Sequence, residues 1–252
     1  LRVALADASP VVRQLAVAAL WEDERDDLPD LLRGVLATDR SQDVRAEAAR
    51  VLGRFAILAA AGEREEALAE DIREDLAAVV GDAAQPYTVR RRALESLGVF
   101  GQQPAIRQLI RDAYESGDQG MQASALYAMG ESLDAAWLPT LLEELASEEA
   151  ELRFEAARAC GALGKETPVA ELAECAADED PEVRQAAIAA LGQIGGRGAI
   201  RVLRALAEQA EQSDETERTD EMDGADEADR AAIAAALEEA ASIEDPFGAG
   251  GA

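Results

Sequence analysis

The stretch DEDPEVRQAAIAALGQIG, residues 178–195, decides the fold. Ala187 lies three residues and Leu191 seven residues after Arg184, a spacing that places all three on one side of a helix. Gly192 follows directly. The stretch therefore predicts a helix with one buried face, on which the alanine lets a neighbouring helix pack closely and after which the glycine lets the chain turn.

The same pattern recurs along the chain. Each copy has an anchor residue, usually arginine, an alanine three residues later and Leu, Met or Cys seven residues later. A glycine follows in five of the six copies, and Trp21 replaces it in the first. Successive anchors are 32, 45, 32, 31 and 31 residues apart, a period that is typical of a helix–turn–helix array. The anchors are Arg13, Arg45, Arg90, Gln122, Arg153 and Arg184.

Between the anchors lie segments with the apolar spacing of one helical face. They predict first helices near residues 31–36, 106–110, 138–145 and 169–176, each followed by a second helix that runs from the anchor pattern to its glycine. The longest spacing predicts an elongated first helix within residues 62–82. The predicted fold class is all-α, an α-α superhelix of about six to seven helix pairs.

The pattern Asp-x-x-(Pro)-x-Val-Arg-x-x-Ala-x-x-x-Leu-Gly resembles the HEAT-repeat family, in the short bacterial variety known from phycobilisome lyases. The resemblance covers roughly residues 1–212 and extends to 241 in degenerate form. It implies an α-solenoid whose second helices line a concave surface. Members of this family are mostly scaffolds and binding modules, and a minority attach or remove bilin chromophores.

The sequence predicts one repeat array over residues 1–241. Residues 211–229 hold ten acidic side chains and one arginine, which predicts a disordered acidic loop within the last unit. The flanking helices, residues 199–210 and 230–241, are expected to pair as a terminal unit. Residues 242–252 are rich in glycine and are expected to form a flexible tail.

Charge restricts the class of partner. The chain has 52 acidic and 24 basic side chains and a net charge of −28, which disfavours nucleic acid unless the arginines gather on one face. A protein or peptide partner is therefore expected. The sequence has neither an apolar run of roughly 20 residues nor a signal-peptide pattern, so we expect a cytoplasmic protein that does not bind membranes.

The residues that usually carry catalysis are scarce. Histidine is absent, which excludes Ser–His and Cys–His nucleophile pairs and histidine metal sites. Cys160 and Cys175 are predicted to be core residues. The acidic loop fails as an EF-hand, because Thr219 and Arg230 would stand at its first and twelfth ligand positions. We therefore expect no metal, no cofactor and no enzymatic activity.

Aspartates stand six residues before three of the anchor arginines. Each can cap its helix, and each arginine can pair with it or with the aspartate of the neighbouring unit, which predicts a ladder that fixes the stacking. The aspartates are Asp7, Asp39 and Asp178.

A candidate binding surface follows from the same register. Positions one, five and nine residues after each anchor form an outward stripe on the second helices. Its middle places aromatic residues among arginines, which is the composition of an interface hot spot. Alternatively, Phe154 packs against a neighbouring helix and Tyr127 is simply amphipathic. The candidate partner-binding residues are Arg50, Arg54, Arg91, Glu95, Tyr127, Glu131, Phe154 and Arg158.

The sequence therefore predicts a non-catalytic protein–protein interaction scaffold that binds a protein or peptide on its concave face. A bilin-lyase-like enzyme or enzyme accessory is the first alternative, and a nucleic-acid-binding HEAT-like protein is the second. The identity of the partner and the oligomeric state are left open.

Overall fold

The computed structural model describes residues 2–23, 25–216 and 224–244. Within these ranges the chain forms fourteen α-helices and two short 3-10 turns, Gly98–Phe100 and Ala135–Trp137, and no strand. The helices are α1 (Arg2–Leu5), α2 (Pro10–Ala18), α3 (Leu28–Thr38), α4 (Gln42–Ala60), α5 (Glu66–Gly81), α6 (Tyr87–Ser96), α7 (Pro104–Tyr114), α8 (Gln119–Glu131), α9 (Leu138–Glu144), α10 (Ala150–Leu163), α11 (Val169–Cys175), α12 (Pro181–Ile194), α13 (Gly196–Thr216) and α14 (Gly224–Glu244).

The contacts group the chain into two compact units, where the sequence predicts one array. Unit 1, Leu1–Ser132, holds α1 to α8, and unit 2, Leu133–Ala252, holds α9 to α14. Each even-numbered helix packs against the odd-numbered helix before it, and successive even-numbered helices pack side by side within each unit. Seven helix pairs in the described ranges confirm the predicted all-α, HEAT-like fold class of six to seven pairs.

Two positions of the repeat, three and seven residues after each anchor, form the core of the helix pairs. From the second copy onward, the residues three and seven positions after the anchor are fully buried. Each second helix therefore turns the same face inward, as the spacing predicts. These residues are Ala48, Leu52, Ala93, Leu97, Ala125, Met129, Ala156, Cys160, Ala187 and Leu191.

The repeat's glycine lies where two successive second helices meet. A Cβ atom added to Gly192 would lie 2.8 Å from the Cα of Ala236, and one added to Gly161 would lie 2.8 Å from the Cα of Ala190. Backbone atoms cannot rotate away as a flexible side chain can. Glycine at this position therefore allows the next second helix to approach to backbone contact.

In both units, arginines of the predicted ladder connect a helix pair to the following one. The guanidinium of Arg153 donates to both carboxylate oxygens of Asp178, at 2.7 and 2.8 Å, and its Nη1 donates to the carbonyl of Ser147 at 2.9 Å. Arg13 contacts Asp39 in the same way, at 2.8 Å to each oxygen. Between the two alternatives, the carboxylate partner is therefore the aspartate of the next pair.

The aspartates also shape their own turns. The Oδ1 atom of Asp178 accepts the backbone N–H of Asp180 at 2.9 Å. The hydrogen bond from Arg153 lowers the pKa of Asp178 below its ordinary value, despite partial burial that would raise it. One carboxylate thus closes a turn and receives the arginine of the preceding pair.

One second helix is longer than predicted. The α4 helix does not end at Gly53 but continues to Ala60, because Phe55 and Ala59 on the extra turns are buried. The elongated first helix predicted within residues 62–82 is present as α5. The extra residues in the longest anchor spacing therefore lengthen both α4 and α5.

The helices that flank the predicted acidic loop are longer than expected. Residues 211–216 continue α13 and residues 224–229 begin α14, while residues 217–223 lie outside the described residues. Glutamate and glutamine favour helix, and acidic residues are favourable in a helix's first turn, so acidic composition alone overstates disorder. The predicted tail is likewise too long, because α14 runs to Glu244, and residues 245–252 lie outside the described part.

Candidate interaction groove

The second helices of unit 1 line a groove of about 330 Å³. The turn after α2, helices α4, α6 and α8, and the 3-10 turn after α6 contribute its walls. Five of the eight predicted candidate residues line it: Arg50, Arg54, Glu95, Tyr127 and Glu131. We call this site the unit 1 groove; its other lining residues are Trp21, Gly53, Ile57, Arg92, Ser96 and Val99.

Trp21 forms one end of the groove with Arg50. The guanidinium carbon of Arg50 lies 4.5 Å from the centre of the Trp21 ring, which is a cation–π distance. Glu47 holds the same guanidinium with two hydrogen bonds, at 2.6 and 2.9 Å. This end of the groove therefore has an aromatic ring beside a guanidinium whose position is fixed.

A hydrogen-bonded network holds the α6 wall. Glu95 accepts hydrogen bonds from Arg92, at 2.5 Å, and from the buried hydroxyl of Ser124, at 2.8 Å. The pKa of Arg92 is raised overall. Burial alone would lower it, but the charge of Glu95 with its hydrogen bond, and the charge of Glu47, outweigh the effect of burial. The wall is thus organised before any partner binds.

The predicted Arg91 does not line the groove. Its Nε donates to the Ser124 hydroxyl at 2.9 Å, and its guanidinium lies 5.9 Å from the Tyr87 ring. Gly120 on α8 leaves the space for this arrangement, since a Cβ there would lie 3.0 Å from the Nη1 of Arg91. The next residue, Arg92, lines the groove instead.

Phe154 and Arg158 belong to unit 2, on α10. Both are half-buried, and the Nε of Arg158 donates to Glu155 at 2.9 Å. Their role in partner binding stays a separate prediction.

The sequence stripe missed Trp21, Ile57 and Arg92. Ile57 was missed because it lies beyond Gly53, where the second helix was expected to end; it is an exposed apolar side chain. The sequence could have identified Trp21, because it stands at the repeat position where the other copies have glycine. The regular stripe therefore identifies much of this site, and departures from the repeat identify Trp21 and Ile57.

Both cysteines are buried free thiols. Burial raises the pKa of Cys160 to about 12 and that of Cys175 to about 11. The Cys175 thiol donates to the carbonyl of Leu145 at 3.5 Å. Both thiols are neutral near pH 7, which suits core residues.

The chain is similar to known HEAT-repeat proteins. Residues 138–221 match the sequence family described as HEAT repeats, which confirms the predicted resemblance. The complex of CpcE and CpcF of phycocyanin lyase from Nostoc sp. PCC7120 is 18% identical, with a TM-score of 0.55 over 94% of this chain and 92% of that chain. YIBA of E. coli is 15% identical, with a TM-score of 0.51 over 94% of this chain and 90% of that chain.

These structural likenesses show the fold alone. No curated protein sequence matches the chain significantly. Among the described helices, none combines the length and the apolar character needed to cross a membrane. The same residues contain no group of three or more acidic or cysteine side chains arranged to hold a metal ion.

Proposed function

We propose that the protein is a non-catalytic interaction module that binds a protein or peptide segment in the unit 1 groove. The observation that carries this proposal is Trp21 stacked with Arg50 in a groove that Tyr127 also lines. Tryptophan, tyrosine and arginine are the residues that most often dominate binding energy at protein interfaces. Because Glu47 and Trp21 fix Arg50 in advance, a partner loses little entropy in ordering it.

The charges of the groove favour a polypeptide over a phosphate backbone. Three arginines line it, but Arg50 is paired with Glu47 and Arg92 with Glu95, and Glu131 adds a further negative charge. A nucleic acid would require unopposed cations along its path. A polypeptide segment can supply an apolar side chain for the Trp21 ring and backbone groups for the charged rim.

The experiment is selection of binders from a displayed random-peptide library, using the full chain as bait. Enriched peptides are then measured against a Trp21→Ala/Tyr127→Ala variant, for which we expect at least a roughly tenfold loss of affinity. Tyr114→Ala, an aromatic substitution on α7 outside the groove, is the matched control and should leave affinity unchanged. Circular dichroism and melting confirm that each variant is folded.

Three results would contradict the proposal. Equal binding by the wild type and the double variant would remove the groove as the site. Loss of binding only in a Phe154→Ala/Arg158→Ala variant would transfer the site to unit 2. A tetrapyrrole whose absorbance changes on titration with the wild type, but not with the double variant, would assign the groove to a bilin.

A further inference from the structure

The N-terminal helix pair exposes an apolar face. On α2, Val11 is 60% exposed and Leu15 is 65% exposed, and on α1 Val3 is 87% exposed. The equivalents of Val11 and Leu15 in the next copy are Asp43 and Glu47, which are polar. Repeat proteins usually end in a polar outer face, so the apolar side chains exposed at this end of unit 1 are unusual for a terminal repeat.

The residue before each anchor is the first mark of a stacking surface. Val44 and Val89 hold this position within unit 1 and Val183 holds it in unit 2, and all three are fully buried. Val12 holds the same position in the first copy and is 39% exposed. The first copy therefore also has valine at this position, but the described residues do not bury it as they bury its equivalents.

The sixth residue after each anchor is the second mark. Ala128, Ala190 and Ala236 hold this position, and each lies against the repeat glycine of the preceding second helix. All three are buried, whereas Ala19, their equivalent on the first copy, is exposed. A small residue suited to a close helix contact therefore faces solvent.

The aspartate of the ladder is the third mark. Asp7 closes its turn as its equivalents do, accepting the N–H of Ser9 at 2.8 Å. Asp39 and Asp178 each pair with the arginine of the preceding helix pair. Among the arginines whose side chains the structure describes, none forms an ion pair with the carboxylate of Asp7. The complete set of groups that receives a preceding pair is thus present on α2 and its turn.

We propose that this face, consisting of Asp7, Val11, Val12, Leu15 and Ala19, docks a further helix pair of the HEAT type. The incoming second helix would present an arginine to the carboxylate of Asp7 and a glycine to Ala19. It would cover Val12 and Leu15 with its apolar side. This assignment follows from the stacking register within each unit and is independent of the proposed function of the groove.

A second copy of this chain is a poor donor of that helix. The last second helix, α14, offers Arg230 at the anchor position, with Ala236 six residues later. Eight residues after Arg230, however, an exposed Glu238 replaces the glycine. A glutamate there keeps a following helix from backbone contact and adds charge to the interface, so we assign the docked pair to another repeat-bearing segment.

The test extends the full chain at its N-terminus with a copy of its own residues 166–202. This places the copied Arg184 31 residues before Arg13, which is the spacing between Arg153 and Arg184. We expect a higher melting temperature than that of the unextended chain, and amide hydrogen exchange in α2 slowed by about an order of magnitude. Limited proteolysis should leave the extension intact.

Matched variants separate docking from a merely attached segment. Arg184→Ala and Gly192→Leu in the copied segment alone, or Leu15→Glu in the receiving face, should each remove most of the protection of α2. An extension that leaves the exchange of α2 unchanged, or that protects it equally in all variants, would overturn the proposal. Concentration-dependent dimerisation of the unextended chain that Leu15→Glu abolishes would assign the face to a second copy instead.

Discussion

At the scale of single residues, Arg153 shows how one side chain joins two turns. Its guanidinium binds the carbonyl of Ser147 in its own turn and both oxygens of Asp178 in the next. The two side chains are only 12% and 10% exposed, so water competes weakly for either partner. A planar fork of donors suits this geometry, and lysine would not reproduce it.

The charge of Asp178 should matter most above about pH 4. Its pKa in the folded protein is lowered below the unfolded value of about 3.9, so its contribution is complete above that value and is lost as pH falls towards the lower, folded pKa. We expect Asp178→Asn to lower the free energy of unfolding by about 1–2 kcal/mol at pH 7. The difference from wild type should shrink steadily below about pH 4.

Urea denaturation of both proteins at several pH values measures this difference. Comparing variant with wild type cancels most of the general effect of protonating the other carboxylates. A difference that stays constant from pH 7 to about pH 3 would show that the hydrogen bonds of Asp178, and not its charge, are what matter.

Residue-level expectations for the groove were less complete. The period of the helix correctly grouped Arg50, Arg54, Glu95, Tyr127 and Glu131. It selected Arg91 instead of the adjacent Arg92, because it could not take account of the space that a glycine on α8 leaves for Arg91. That glycine lies some thirty positions after Arg91 in the sequence, so a pattern within one helix does not reveal the contact.

At the scale of helices, the repeat's glycine sets how closely second helices approach. This role was not predicted from the sequence, which indicated that each second helix ends at its glycine and that the alanine three residues after the anchor allows close approach. The length of α4 was not predicted. Whether a helix continues past the glycine depends on whether the following residues find a buried surface, as Phe55 does.

Gly192→Ala should lower the free energy of unfolding by about 1–3 kcal/mol, because the added Cβ would lie 2.8 Å from a backbone atom of α14. Gly34→Ala is the matched control on α3, since a Cβ there has no neighbour within 4 Å. Alanine should stabilise that exposed helix by up to about 1 kcal/mol. Thermal or urea denaturation measures both, and the same sign for both substitutions would contradict the close-approach role.

At the scale of the whole molecule, acidic side chains outnumber basic ones by 52 to 24. The net charge of −28 opposes the compact state through repulsion between like charges. The ladder pairs resist screening by salt because they are largely buried, whereas the repulsion between surplus carboxylates on the surface is readily screened. Salt should therefore remove more repulsion than attraction.

We expect the melting temperature to rise by several degrees between about 0.05 M and about 1 M sodium chloride. Differential scanning calorimetry measures the change. Tetramethylammonium chloride at the same ionic strength is the control for specific cation binding and should act similarly. A melting temperature that falls with salt would mean that exposed ion pairs outweigh the general repulsion.

Trp21, which stands at the repeat's glycine position, also provides the molecule with an intrinsic fluorescence probe. The chain has two tryptophans, Trp21 in unit 1 and the buried Trp137 in unit 2. The indole of Trp21 is half-buried against the Arg50 guanidinium, so its emission depends on what occupies the groove. With Trp137 replaced by phenylalanine, fluorescence of the remaining indole would follow ligand titration and the unfolding of unit 1 without any added label.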